Sequence, residues 1–272
     1  MKKIAFIFLL LTSLCLKSQN IRCFLFDIND SISKTHYALG MPIGVDSIED
    51  YIIARSQYTV GYNPQIGSAN WVAWHLHSGW FGSADRYKGR FITDTIVDKF
   101  FIRITHNHYT NSGYDRGHIV RSKERSTNAD DNKSTFILSN IFPQTPDLNR
   151  GVWLSFEYYC EKLCTKENKQ LYVYAGGLYS SNRSLKDENI VAIPDTCYKI
   201  ILILDQNQSI EDINSNTQII AVAMPNISGI RRDKWEKYIT TVRKIEESSG
   251  FNFFSNLSQD LQDILETRKY KP

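Results

Sequence analysis

The chain has no apolar run long enough to form a membrane-spanning helix, the short run at its start included. Low-complexity tracts and internal repeats are absent too, which argues against long disordered regions and solenoid architectures. Neither sign of charge is in large excess: 32 Lys and Arg stand against 29 Asp and Glu, a formal +3. Cysteine is scarce, five in 272 residues, and no Cys-x-x-Cys element occurs, so the spacing does not read as a thiolate zinc site. What remains is the ordinary composition of a globular protein, 42% hydrophobic and 22% charged.

The basic start Met1-Lys2-Lys3 and the short apolar run Ile4 to Leu11 predict a secretory signal peptide over residues 1–18, with cleavage near Cys15 or after Ser18. Leu14 disfavours a lipid anchor on Cys15, so the expected destination is the periplasm or the medium. Cleavage after Ser18 removes Lys2, Lys3 and Lys17, which together account for the whole +3. Affinity for a polyanion would then come from a local basic patch rather than a global field. Four cysteines would remain, Cys23, Cys160, Cys164 and Cys197, and in an exported chain they could form up to two disulfides.

Along residues 19–272 the patterns predict one α+β domain with its core over about 40–265. Strands are expected at Tyr51 to Tyr62, Trp71 to Leu76, Phe100 to Thr105, Thr135 to Ile141, Leu171 to Ala175, Ile190 to Ile193, Tyr198 to Leu204 and Ile219 to Ala223. Gly79 to Asp94 reads as a loop bearing Arg86, Lys88 and Arg90. Trp153, Phe156, Cys160 and Leu163 recur at helical spacing and predict a helix from about Asn149 to Lys166. Trp235 to Ile245 and Leu257 to Leu265 predict two more.

The residues that carry chemistry cluster between Gly113 and Glu157. His118 follows Asp115-Arg116-Gly117: the carboxylate can orient a loop or the imidazole, the guanidinium can fork onto a phosphate, and glycine permits close approach. A neutral imidazole can take a proton from water near pH ~7. Asn149 at a helix start can be a cap, or a single oxygen anchor for magnesium, which keeps most of its waters. Eight residues on, Glu157 lies about 12 Å along the helix and roughly 80° around it, a position suited to a water-holding partner rather than a shared ligand. The pairs His75/His77 and His106/His108 would each share a strand face, but no third metal ligand is placed beside them.

Taken together, Asp115-Arg116-Gly117-His118, Ser139-Asn140-Ile141-Phe142-Pro143-Gln144, Asn149-Arg150-Gly151-Val152-Trp153 and Glu157 resemble the DNA/RNA non-specific endonucleases of the ββα-metal superfamily. Segments from Arg86 to Asp94, Val173 to Gly177, Ile193-Pro194, Tyr198-Lys199, Met224-Pro225-Asn226 and Ile245 to Phe254 extend the likeness. The resemblance implies a central mixed or antiparallel sheet flanked by helices, and hydrolysis of phosphodiester bonds in DNA and RNA, both read through phosphate. It implies His118 as general base, Asn149 as the protein ligand of magnesium (manganese being the alternative ion), and Glu157 as the residue holding water on the metal. Asn140 would position the site and Arg116 would bind phosphate. Arg86 or Arg90 would supply an upstream contact, with Gln144 also facing substrate. One departure stands out: relatives often carry a phosphate-binding Arg four residues after the helix Glu, where this chain has Glu161. Arg150 or Arg121 would then replace that cation. The alternative is a nucleic-acid-binding protein of the same fold whose catalysis Glu161 has weakened.

Overall fold

Apolar residues on both faces of its longest strands dictate the layout of the chain. The computed structural model describes residues 24–25, 34–44 and 50–272; the expected signal segment and Cys23 lie outside them. Eight strands form one sheet in the order β1-β3-β4-β5-β8-β9-β10-β11. They are β1 (Phe24–Leu25), β3 (Tyr51–Ala54), β4 (Thr59–Asn63), β5 (Ser68–Leu76), β8 (Lys169–Leu178), β9 (Thr196–Asp205), β10 (Gln218–Pro225) and β11 (Ile239–Thr240). All neighbours are antiparallel except β1 and β3. This is the expected α+β architecture with a central, mainly antiparallel sheet.

Side chains alternate across a strand, so each long strand feeds two cores. On one face Val72, Trp74, Val173, Cys197, Ile201 and Val222 pack against helix α3 (Trp153–Lys166) through Trp153, Phe156, Cys160 and Leu163. On the other, Trp71, Tyr174, Tyr198, Ile200 and Leu202 meet α4 (Val242–Ser249) and α5 (Gln259–Thr267). Burying each large apolar side chain contributes about 1.5–3 kcal/mol, so the stripe of α3 fixes that helix firmly to the sheet. Two short pairs complete the topology: β2 (Ile43–Gly44) with β12 (Phe251–Asn252), and β6 (Asp115–His118) with β7 (Ile141–Gln144).

Several expected elements differ. Phe100 to Thr105 is not a strand: Arg103 closes the segment onto the carbonyls of Val97 and Thr95, and Phe100 is 87% exposed with no neighbouring strand. His106 and His108 instead belong to a single turn of helix, α1 (His106–Tyr109), started by a capping box between Thr105 and His108. Thr135 to Ile141 is not a strand: Thr135 caps the end of α2 (Ala129–Ser134), its hydroxyl bonding back to the Asn132 carbonyl, and a 3-10 turn (Leu138–Asn140) follows before the strand that starts at Ile141. Ile190 to Ile193 makes one isolated bridge, Ser184 to Ala192. The helix expected from Trp235 is a 3-10 turn followed by β11; Thr241 then caps α4 through the Lys244 amide. Among the described residues Cys160, Cys164 and Cys197 are free, buried thiols and form no bridge with one another.

Candidate active site

Strand β6 runs antiparallel to β7, with Asp115 opposite Gln144 and His118 opposite Ile141, and the chain then enters the helix that carries Glu157. Two close approaches shape this hairpin and helix. A Cβ on Gly117 would lie 2.2 Å from the Gln144 side-chain oxygen, so only glycine lets that amide pass beneath the strand. Gly151 breaks the helix start: its backbone is non-helical (φ −121°, ψ −110°) within the π-helical turn (Leu148–Val152) that leads into α3. A Cβ there would stand 2.5 Å from the Arg231 carbonyl oxygen.

Alternation along β6 sends Asp115 and His118 to different surroundings. The Asp115 carboxylate accepts from Asn149 Nδ2 at 2.8 Å and from Arg150 Nε and Nη2 at 2.7 and 2.5 Å. Burial pushes its pKa up, but the bonds from Arg150 and Asn149 outweigh that and hold it below the usual carboxylate value. A carboxylate has no proton to give, so Asn149 must turn its NH2 toward Asp115. Its Oδ1 is thereby left as an acceptor for something else.

His118 sits between aromatic rings, 5.4 Å from Phe91 and 4.7 Å from Phe136, centroid to centroid. Its Nε2 is buried and has no hydrogen-bond partner among the described residues. Burial first, and the Arg86 charge second, push its pKa down to about 3, so the free protein holds a neutral imidazole at ordinary pH. Asn140 holds the backbone just beyond it. Fully buried, it donates to the Val120 and Thr135 carbonyls and accepts from the Val120 amide, while its own carbonyl accepts from the Ile119 amide.

Glu157 is 4% exposed and faces two cations, with Lys199 Nζ and Arg121 Nε each 3.7 Å from its oxygens. Burial raises its pKa, Lys199 opposes the rise, neighbouring Glu124 adds to it, and Arg121 opposes it again. Glu161 accounts for Arg121: its carboxylate binds Arg121 Nη1 at 2.6 Å, and the guanidinium lies over the Tyr158 ring. The position that departs from the family pattern therefore anchors a cation beside Glu157.

The other arginines separate clearly. Arg86 bonds the Ser122 hydroxyl and lies over the Phe136 ring that also contacts His118; its charge is felt by His118, Glu157 and Arg121. Arg90 is exposed and acts on His106. Arg116 turns toward α1, donating to the His106 carbonyl and the Thr110 hydroxyl. Gln144, fully buried beneath Gly117, presents no amide to solvent. The structure thus joins Asp115, Asn149 and Arg150 in one group and Arg86, Arg121 and Glu157 in another, with His118 tied to Arg86.

Two residues escaped the reading of the sequence. Lys199 is 1% exposed, boxed by the Trp153 ring at 4.5 Å and the Trp74 ring at 5.3 Å, and supplies the charge opposite Glu157. Its signal was a lone lysine at an inward position of the apolar strand β9, where lysine is almost never found unpaired. Asn226, 1% exposed, bonds the Pro143 carbonyl and the Thr145 amide and so secures the approach to Asn149. The His75 ring stacks on Tyr172 and bonds Gln170, a packing role remote from this cluster.

An oxygen-preferring cation would find Asn149 Oδ1 unclaimed in the turn that leads into α3, the helix that carries the Glu157 carboxylate. Among the described residues no group of three or more His, Cys, Asp or Glu could hold a metal. A magnesium that keeps most of its waters needs no such group, so this donor set fits it.

The sequence profile of the DNA/RNA non-specific endonucleases matches residues 33–260. The chain is 38% identical over 249 residues to a protein named nuclease from Nostoc sp. (strain PCC 7120), covering 90% of this chain and 89% of that protein. It is 27% identical over 215 residues to human mitochondrial endonuclease G, covering 75% of this chain and 69% of that one. Among solved structures, the crystal structure of the EndoG/EndoGI complex superposes with a TM-score of 0.72 at 25% identity, over 86% of this chain and 95% of that one.

Proposed function

The chain belongs to the DNA/RNA non-specific endonuclease family and is an endonuclease; from that premise we propose a magnesium-dependent, exported enzyme that hydrolyses phosphodiester bonds in both DNA and RNA. The observation that carries the site assignment is the pairing of Asp115 with Asn149: it leaves the Asn149 amide oxygen unclaimed, and Asp115 lies three residues before the neutral imidazole of His118 on the same strand.

His118 is the general base. Held neutral by its apolar surroundings, it is ready to accept a proton from water attacking phosphorus. Arrival of an anionic phosphodiester near the ring favours the imidazolium, so the proton affinity that burial suppresses is restored when substrate is present. Asn140 keeps the strand carrying this ring in place. Asn149 would hold the magnesium and Glu157 would accept hydrogen bonds from its waters. When bound, the ion supplies charge neutralisation for the phosphate and the departing 3′ oxygen. Arg86 and Arg121 lie on the Glu157 side of His118 and would add cationic contacts to the phosphate. Contacts of this kind read phosphate rather than bases, which suits a nuclease indifferent to sequence.

Plasmid and total RNA digestion, with magnesium and with EDTA, tests the reading. Wild-type protein is expected to degrade both in an EDTA-sensitive manner. His118→Ala should be about 10²–10⁴ slower while keeping the fold, as read by a cooperative thermal melt. Digestion by His118→Ala at the wild-type rate would remove His118 from the chemistry. Salt-sensitive binding without any cleavage would favour the catalytically weakened alternative.

A further inference from the structure

Beyond β10 a loop, residues 227–234, exposed apart from buried Ile230 and half-buried Asp233, carries Arg231, Arg232 and Lys234, and the chemistry above does not use it. It is fastened to the segment that bears Asn149 at several points. Asn226 donates to the carbonyls of Pro143 and Pro194, each at 2.9 Å, and accepts from the Thr145 amide at 2.8 Å. The Thr145 hydroxyl donates to the Ile227 carbonyl at 3.1 Å, and the Gly229 amide to the Asp147 carboxylate at 2.7 Å. The Arg231 backbone packs so closely on Gly151 that no Cβ fits between them, two residues beyond Asn149.

The three basic side chains are exposed. Asp115 is engaged with Arg150, Asp233 with Lys237 and Asp147 with the Gly229 amide, while Glu236, two residues beyond Lys234, is exposed. Three cations on four residues, carried by a loop pinned to the site segment, make a local positive surface on a chain with little net charge. On the His118 side, the loop bearing Arg86, Lys88 and Arg90 is also exposed. Basic loops thus adjoin the catalytic cluster at two places: one reaches it through Phe136, the other through Gly151.

We propose that the 227–234 loop is a second phosphate-binding element, in which Arg231 and Arg232 engage backbone phosphates of the nucleic acid outside the scissile linkage. The proposal rests on the nuclease reading and specifies how that site grips a long substrate. Guanidinium groups bind phosphate with a geometry indifferent to base identity, so the loop adds affinity and processing of long chains without sequence choice. Its attachment to the Asn149 segment fixes the register between the gripped phosphates and the one cleaved.

The test is fluorescence anisotropy of a short labelled duplex with metal-free protein in EDTA, titrated over a range of salt. Each phosphate contact adds about 0.9 to the slope of log K against log salt. The double variant Arg231→Ala/Arg232→Ala should therefore lose about 1.8 from that slope and bind more weakly. Arg231→Lys/Arg232→Lys should keep most of the slope. Lys166→Ala/Lys244→Ala removes the same charge from the far end of α3 and from α4 across the sheet, and should leave the slope near wild type. In cleavage assays with magnesium, the alanine pair should lose more kcat/KM on plasmid than on bis(p-nitrophenyl) phosphate, which has a single phosphate. An unchanged slope in the alanine pair, or an equal fall in the remote lysine pair, overturns the proposal while leaving the nuclease reading intact. Wild-type protein that neither binds the duplex nor cleaves plasmid overturns both.

Discussion

Replacing Asp115 by asparagine changes one oxygen into an NH2 and leaves the volume alone. In the native arrangement one carboxylate oxygen accepts from both Asn149 and Arg150 Nε, and the other from Arg150 Nη2. An amide cannot serve all three donors, because its nitrogen must oppose at least one of them. Asn149 then loses the charge that dictates which way its own amide points. A hydrogen bond to a charged group contributes about 1.5–3 kcal/mol. At about 1.36 kcal/mol per tenfold, that corresponds to a factor of roughly 10–150. The figure agrees with the 10–100-fold typically lost when the partner behind a metal ligand is removed.

The expected result is a magnesium half-saturation for plasmid cleavage raised about 10–100-fold in Asp115→Asn, with a matching loss of magnesium binding by calorimetry on the resting protein. The melting temperature should change little, since the Arg150 arm of the network is largely exposed and such pairs contribute about 0–1 kcal/mol. Arg150→Ala should move the magnesium titration much less, because the Asn149–Asp115 bond survives it. An Asp115→Asn protein with the wild-type magnesium titration would refute the argument that Asp115 presets the Asn149 oxygen. The pH dependence has a fixed sign. The folded pKa of Asp115 lies below its unfolded value, so its contribution is present above about pH 3.9 and is lost as the pH falls through the folded pKa.

Three further outcomes are expected. The His118 ring should appear neutral by NMR well below pH 6.5 in the free protein, since burial pushes its pKa down to about 3; because the unfolded chain takes up that proton near pH ~6.5, His118 favours unfolding as pH falls between the two values, and a ring that titrates near its ordinary pKa would contradict its enclosure. Lys199→Met removes the buried cation facing Glu157, leaving it Arg121 alone, and should cost up to about 3–5 kcal/mol in a urea melt above neutral pH, while Lys199→Met/Glu157→Gln recovers most of that loss; equal melts for single and double variants would show that the two are not coupled. Gly151→Ala places a methyl against the Arg231 carbonyl and should cost about 1–3 kcal/mol together with activity; a wild-type melt would mean that the 227–234 loop yields easily.

The structure also explains why some elements were legible and others were not. The stripe Trp153, Phe156, Cys160, Leu163 announces α3 because a helix must bury one face, and that need is written at local spacing. Strands β8 and β9 were equally plain as long apolar runs covered on both faces. Phe100 to Thr105 misled because an apolar run specifies burial only if a partner strand exists, and here none pairs with it. Trp235 to Ile245 misled because helical spacing was read through Thr240 and Thr241, where β11 ends and the cap of α4 begins.

By itself the sequence, through its resemblance to a nuclease family, determined the reaction class and singled out the groups proposed to carry it. Asp115 to His118, Asn149 and Glu157 fall at the spacing of that family's motifs, and the resemblance is what sets their joint reading apart from a turn, a cap and an exposed carboxylate. Tertiary structure alone decided the state of those groups. Phe91 and Phe136, 27 and 18 residues distant from His118 in the chain, remove water from its ring and set its proton affinity. Lys199, from the central sheet, faces a glutamate that local pattern left open to solvent. Arg86 rather than Arg90 adjoins the cluster, and Glu161 holds Arg121 beside Glu157. Charge and desolvation depend on everything within a few ångströms, and residues that close in space were far apart in the chain.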